Sequence, residues 1–139
     1  MRRLAVCATI KTRQRRAFAA HSGIKGEYSH EVLLINGSPH EKGCTYTALS
    51  LIAKELNDAG VDTEILHVGG KPVGGCIGCG GCAAGNGCVF GGVVNEAIEK
   101  AKTADGFVFG SPVHYASASG NMTSFMAAAL PTRAADIWP

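Results

Sequence analysis

Four cysteines fall close together: Cys76, Cys79, Cys82 and Cys88, in the spacing C-x2-C-x2-C-x5-C. Glycines separate them (Gly78, Gly80, Gly81, Gly85 and Gly87), so the backbone can turn tightly enough to aim several thiols at one point. Such a run suits a metal ion, an iron–sulfur site or a dithiol redox centre, and spacing alone leaves all three open. A disulfide scaffold is the weaker account. The cysteines are clustered rather than spread, and no signal segment with a small-residue cleavage site precedes them. Gly78–Ala83 formally fits the dinucleotide pattern G-x-G-x-x-A, but it does not run from a strand straight into a helix, as that motif must.

Two further stretches carry chemistry. Asn36-Gly37-Ser38-Pro39-His40-Glu41-Lys42-Gly43-Cys44-Thr45 is a polar loop that feeds a helical pattern. A helix N-terminus presents free backbone N–H groups and the positive end of its dipole, which makes it an anion site. Ser38, Thr45 and His40 add side-chain donors. A Walker loop would end in Gly-Lys-Ser/Thr, and this one ends in Gly43-Cys44-Thr45. Plain helix capping by Ser38 or Thr45 is the competing account. The second stretch, Ser111-Pro112-Val113-His114-Tyr115-Ala116-Ser117-Ala118-Ser119-Gly120, surrounds one His and one Tyr with small and hydroxylated residues. Such a loop can lie against a flat ring, although a surface turn with a serine-rich helix start has the same composition.

The elements that must hold these loops are legible from periodicity. Val32-Leu33-Leu34-Ile35 is a short apolar run, the mark of a strand buried on both faces of a parallel sheet. Leu49, Ile52, Ala53 and Leu56 repeat at helical spacing, and Gly60 ends that helix. Val61–Val68 is a second strand. Val94, Ala97, Ile98 and Ala101 mark a second helix. Asp105-Gly106 turns into a third strand at Phe107-Val108-Phe109, and Met122, Phe125, Met126, Ala129 and Leu130 define a third helix. The order β-α-β-(Cys loop)-α-β-α predicts a doubly wound parallel sheet. A five-stranded sheet of this kind needs about 150 residues, and residues 31–130 supply strands one to three of the expected five. No strand pattern follows, which leaves the outer edge of the third strand without a partner.

Bulk properties fit one domain of 139 residues with 46% hydrophobic residues. Seven of the thirteen basic residues lie in positions 1–30, which predicts a basic, disordered extension before the domain at 31–130 and an irregular tail at 131–139. A net charge of +2, and few aromatic residues beside the basic stretch, argue against a nucleic-acid partner. No apolar run approaches the length of a membrane span, and the body reads as a cytoplasmic α/β protein.

Taken together, the Val32–His40 stretch, the Cys76–Cys88 run and the Ser111–Gly120 stretch resemble the NADPH-dependent FMN reductase-like family of flavodoxin-like proteins, and within it the branch that includes the iron–sulfur flavoproteins. The resemblance covers about residues 31–126. It implies a flavodoxin-like fold with FMN at the switch point of the sheet. It assigns the FMN phosphate to Ser38, His40, Cys44 and Thr45. The ring falls to Ser111, Pro112, Val113, His114 and Tyr115, with Ser119 and Gly120 nearby. It gives Cys76, Cys79, Cys82 and Cys88 as ligands of a 4Fe–4S cluster, with zinc or uncoordinated thiols as alternatives. The implied activity is an NAD(P)H-dependent flavin oxidoreductase acting on small molecules, in a homodimer. An electron carrier without NAD(P)H activity, and a truncated fragment without function, are the alternatives. Two places depart from the family pattern: Gly91-Gly92 stands where acidic residues are usual, and Ala127-Ala128 follows Met126 where Leu-Asp-Arg is usual.

Overall fold

The computed structural model describes residues 30–129 and the backbone of an N-terminal strand, Leu4–Thr9. Residues 10–29, which hold most of the basic extension, Leu130 and the expected tail at 131–139 lie outside the described residues. The elements in chain order are β1 (Leu4–Thr9), β2 (His30–Asn36), α1 (Cys44–Asp58), β3 (Val61–His67), α2 (Gly92–Lys100), β4 (Gly106–His114), β5 (Ser117–Ala118) and α3 (Gly120–Ala129).

The apolar run in β2 dictates the layering. Leu33, Leu34 and Ile35 are each no more than 2% exposed. Successive strand residues point to opposite faces, so three buried neighbours demand cover on both sides. Leu33 and Ile35 pack with Leu66, Val94, Ala97, Met122 and Phe125, which places α2 and α3 on one face. Leu34 packs with Leu49, Ala53 and Val108, which places α1 on the other. The strand order is β1-β4-β2-β3, and both β3 and β4 run parallel to β2. The chain therefore leaves β2 for one neighbour through α1 and reaches the other through α2. Right-handed crossovers in opposite directions put the two helices on opposite faces and open a crevice at the carboxyl ends of β2 and β4. This is the doubly wound, flavodoxin-like architecture that the element order predicts.

Two features differ from the sequence expectation. The first is the edge of β4. Leu4–Thr9, within the segment expected to be disordered, is a strand paired antiparallel with β4 from Leu4↔Pro112 to Thr9↔Phe107. The sheet is therefore mixed, not purely parallel, and β4 is an interior strand. The physical reason is the row of backbone N–H and C=O groups along β4, which any extended segment lacking proline can satisfy. Leu-Ala-Val-Cys-Ala-Thr is such a segment, and periodicity analysis hid it behind its basic flanks. The second is the stretch after Phe109. β4 runs on to His114, and a two-residue turn at Tyr115 and Ala116 leads into β5, so the expected loop is a short hairpin.

The β1–β4 pairing has a sharp signature in hydrogen exchange. The Gly110 carbonyl accepts the Gly37 N–H, so Gly110 faces β2, and by alternation Phe109 and Ser111 face β1. The Phe109 and Ser111 amides are expected to exchange slowly. In Cys7→Pro they exchange rapidly while Val108 and Gly110 stay protected, as residue-resolved exchange would show.

Candidate functional site

The loops after β2, β3 and β4 meet at the carboxyl edge of the sheet, and buried hydrogen bonds tie them together. Asn36, the last residue of β2, is fully buried. Its Oδ1 accepts the Ser38 N–H at 3.1 Å and its Nδ2 donates to the Glu41 carbonyl at 2.9 Å, which curls the loop 37–43 back on itself. Its own carbonyl accepts the N–H groups of Val68 and Gly69. Ser38 Oγ then accepts the His40 N–H. Gly69 lies so close to this loop that a Cβ there would sit 2.1 Å from the Ser38 carbonyl oxygen. Only glycine allows that approach of two backbones.

The loop delivers the chain to α1 with nothing blocking the helix end. Gly43 is the N-cap residue, no side chain caps the helix, and no acid lies in its first turn. The first amides of a helix have no partner within it, so this terminus offers N–H groups and a positive dipole end to an anion. His40 and Cys44 are exposed at its rim. Thr45 is 2% exposed, and its methyl lies under β4, where a Cβ on Gly110 would meet it at 3.0 Å.

The hairpin forms the opposite wall. Ser111 and Ser119 are each 5% exposed. Ser111 Oγ accepts the Ser119 N–H at 2.9 Å, and the two hydroxyls lie 3.2 Å apart. Ser119 Oγ donates to the Gly37 carbonyl at 2.9 Å and accepts the Met122 N–H, so it also caps α3. Pro112 and Val113 are half-buried, while His114, Tyr115 and Gly120 are exposed. Tyr115 and Ala116 carry φ of 48° and 62°. A two-residue hairpin demands such values, normally from Asn-Gly, and side chains other than those of Gly, Asn and Asp adopt them at a cost of order 1–2 kcal/mol each. Strain of this kind gathers at functional sites, and here it falls on a hairpin tip whose Tyr115 ring is fully in solvent.

The eleven residues predicted to contact a cofactor thus fall into two groups. His40, Cys44, Pro112, Val113, His114, Tyr115 and Gly120 line the rim and hairpin with free surface, whereas Ser38, Thr45, Ser111 and Ser119 are buried, Ser111 and Ser119 tying the hairpin to Gly37 and Ser38 bracing its own loop. Sequence inspection did not single out Asn36, His67, Gly69 or Asn121. Asn121 Nδ2 donates to the carbonyls of Gly69 and Lys71 and so ties the root of the cysteine loop to α3. Isolated polar residues at element ends have no periodicity to betray them.

The cysteine loop is held at both ends. At its far end, Asn95 Oδ1 accepts the Cys88 N–H at 2.7 Å and Asn95 Nδ2 donates to the Cys88 carbonyl at 3.2 Å. Between these anchors, Cys76 and Cys79 are exposed and Cys82 is half-buried, and all four thiols are free. The Gly78 N–H points at Cys76 Sγ at 3.4 Å, a contact within the loop itself. Among the described residues, however, no three His, Cys, Asp or Glu side chains gather into a metal-binding group. The predicted four-cysteine ligand set is therefore not assembled: the bonds within the loop are backbone turns, Ala83 N–H to Gly80 O, Gly85 N–H to Cys82 O and Asn86 N–H to Gly81 O, which hold the chain without gathering the thiols. A cleft of about 880 Å³ opens beside this loop, on the β3 side of the β2–α1 loop, lined by Pro39, His67, Lys71, Phe90 and Val93 among others.

A doubly wound sheet with an uncapped helix terminus and a strained hairpin at its switch point defines a flavodoxin-like cofactor-binding domain. The chain belongs to the NADPH-dependent FMN reductase family, whose model matches residues 30–134. It is 31% identical over 103 residues to an iron-sulfur flavoprotein of Methanocaldococcus jannaschii, a match that covers 74% of this chain and 53% of that protein. It is 32% identical over 97 residues to an iron-sulfur flavoprotein of Archaeoglobus fulgidus, covering 70% and 44%. The chain spans about half the length of the curated relatives it matches. No solved structure matches it significantly. Among the described residues, no helix is long and apolar enough to cross a membrane.

Ser119 offers the most direct test of the wiring. Ser119→Ala leaves the Gly37 carbonyl and the Met122 N–H without their buried partner. Urea denaturation is expected to show a loss of about 1–3 kcal/mol. A surface hydroxyl such as Ser117→Ala serves as the unaffected comparison.

Proposed function

We propose that this chain is the FMN-binding portion of an NAD(P)H-dependent flavin oxidoreductase. The observation that carries this is the uncapped N-terminus of α1, with no acid in its first turn, on a loop tied through Gly37 to a strained hairpin that exposes Tyr115. The residues present fit a flat, phosphate-bearing cofactor. The phosphate lies at the amides that open α1, with His40 beside it. Pro112, Val113, His114 and Tyr115 meet the ring through backbone groups and side-chain faces. Bound FMN supplies the redox chemistry, taking hydride from NAD(P)H and passing electrons to a small acceptor. The buried serines and Asn36 act earlier. They fix the two walls of the crevice before the cofactor arrives, so little ordering cost remains to be met on binding.

The relatives are named iron-sulfur flavoproteins, and Cys76, Cys79, Cys82 and Cys88 are the residues of this chain that could serve such chemistry. As placed, the four cysteines do not form the gathered ligand set that a 4Fe–4S cluster needs, and the proposed electron path runs through the flavin alone. Homodimer formation and a cytoplasmic location belong to the same proposal; the exposed Ile77, Val89 and Phe90 on the cysteine loop support an interface there.

Flavin titration separates these ideas. FMN is expected to raise the melting temperature, by the equivalent of about 2.7 kcal/mol at a hundredfold excess over Kd, and riboflavin to raise it less. Steady-state NAD(P)H oxidation by the FMN-loaded protein then distinguishes an oxidoreductase from an electron carrier without a nicotinamide site. A melt unmoved by FMN would overturn the cofactor assignment. Sedimentation of the FMN-saturated protein as a monomer would overturn the dimer.

A further inference from the structure

The last residue of β3 presents its ring to the back of the phosphate loop. His67 Nε2 lies 2.8 Å from the Ser38 carbonyl oxygen. A carbonyl oxygen only accepts, so Nε2 carries the hydrogen and the neutral ring has its lone pair on Nδ1. Three facts make this contact more than a surface bond. Ser38 is buried, and the next residue is Pro39, which has no N–H, so this carbonyl sets the orientation of a peptide that cannot be held from its nitrogen side. Gly69 packs against the same peptide at a distance no side chain would permit. Gly70 leaves room for the ring, because a Cβ there would lie 2.8 Å from His67 Cε1 and 3.2 Å from Nδ1.

We infer that His67 is a positioning residue for the phosphate-binding loop, holding the Ser38–Pro39 peptide so that the amides opening α1 stay aimed at the cofactor phosphate. This rests on the FMN assignment proposed above. His67 acts from behind the loop, across the wall that separates the phosphate position from the cleft beside the cysteine loop. Its effect should therefore fall on the phosphate more than on the ring, because the Ser111–Ser119 contact that shapes the hairpin does not involve the Ser38–Pro39 peptide.

The test compares FMN with riboflavin, which lacks the phosphate, by quenching of flavin fluorescence in the full-length chain. His67→Ala is expected to lower FMN affinity about tenfold, the scale of one lost buried hydrogen bond, and to leave riboflavin affinity unchanged. His67→Gln, whose side-chain amide donates from the position of Nε2, is expected to restore most of the loss. Gly70→Ala, which displaces the ring without altering it, is expected to reproduce the FMN-selective defect. Equal losses for FMN and riboflavin, or no rescue by glutamine, would show a general structural role and overturn the inference. Unchanged FMN binding in His67→Ala would also overturn it, while leaving FMN as the cofactor. Absence of FMN binding by the unaltered chain would overturn the cofactor assignment and this inference with it.

Discussion

The burial of a carboxamide at the end of the central strand governs how this molecule is put together. Asn36 is fully buried, where an unpaired amide would cost several kcal/mol, so each of its polar atoms must find a partner. Oδ1 and Nδ2 find theirs in the loop that follows, and the carbonyl finds its own at the start of the segment after β3. One residue thus sets the curvature of the β2–α1 loop and brings the β3 loop alongside it. The close approach of Gly69 to Ser38 and the reach of His67 to the same peptide follow from that juxtaposition.

The rest of the crevice repeats this logic with hydroxyls. Ser119 has one hydrogen to give and two lone pairs to offer, and Gly37, Met122 and Ser111 use all three. Buried networks of this kind are rigid when complete and costly when broken. The cysteine loop shows the opposite regime. It is anchored by Asn121 at its root and Asn95 at its end, and the glycine-rich run between is without such wiring. A rigid cofactor crevice and a loosely held thiol segment therefore stand side by side at one edge of the sheet.

Much of the frame was legible in the sequence because its signals are periodic. The apolar run of β2, the helical spacing in α1, α2 and α3, and the β-α-β order lead directly to a doubly wound sheet with three loops at one edge. The helix end at α1 was legible as an anion site with side-chain capping by Ser38 or Thr45 as its competitor, and the structure shows no side-chain cap there. The N-terminal strand was not legible. Six residues without strong alternation, flanked by basic residues, become a strand only because β4 offers an unpaired edge. The hairpin after Phe109 was also read as a loop, since Tyr-Ala is not a sequence that announces a tight turn and its backbone conformation is imposed by the strands on either side.

The sequence by itself determined the layers, the order of the elements and the side of the sheet on which the chemistry lies, because hydrophobic period and chain direction suffice for these. Tertiary structure decided which polar side chains of the crevice are exposed and which are buried. Ser38, Thr45, Ser111 and Ser119 have the same side-chain chemistry on a surface as in an interior, and only packing against neighbours distant in sequence buries them. It also decided that Cys76, Cys79, Cys82 and Cys88, close in sequence, do not gather into a metal-binding group. Proximity along a glycine-rich chain permits convergence, but only packing or a bound metal enforces it.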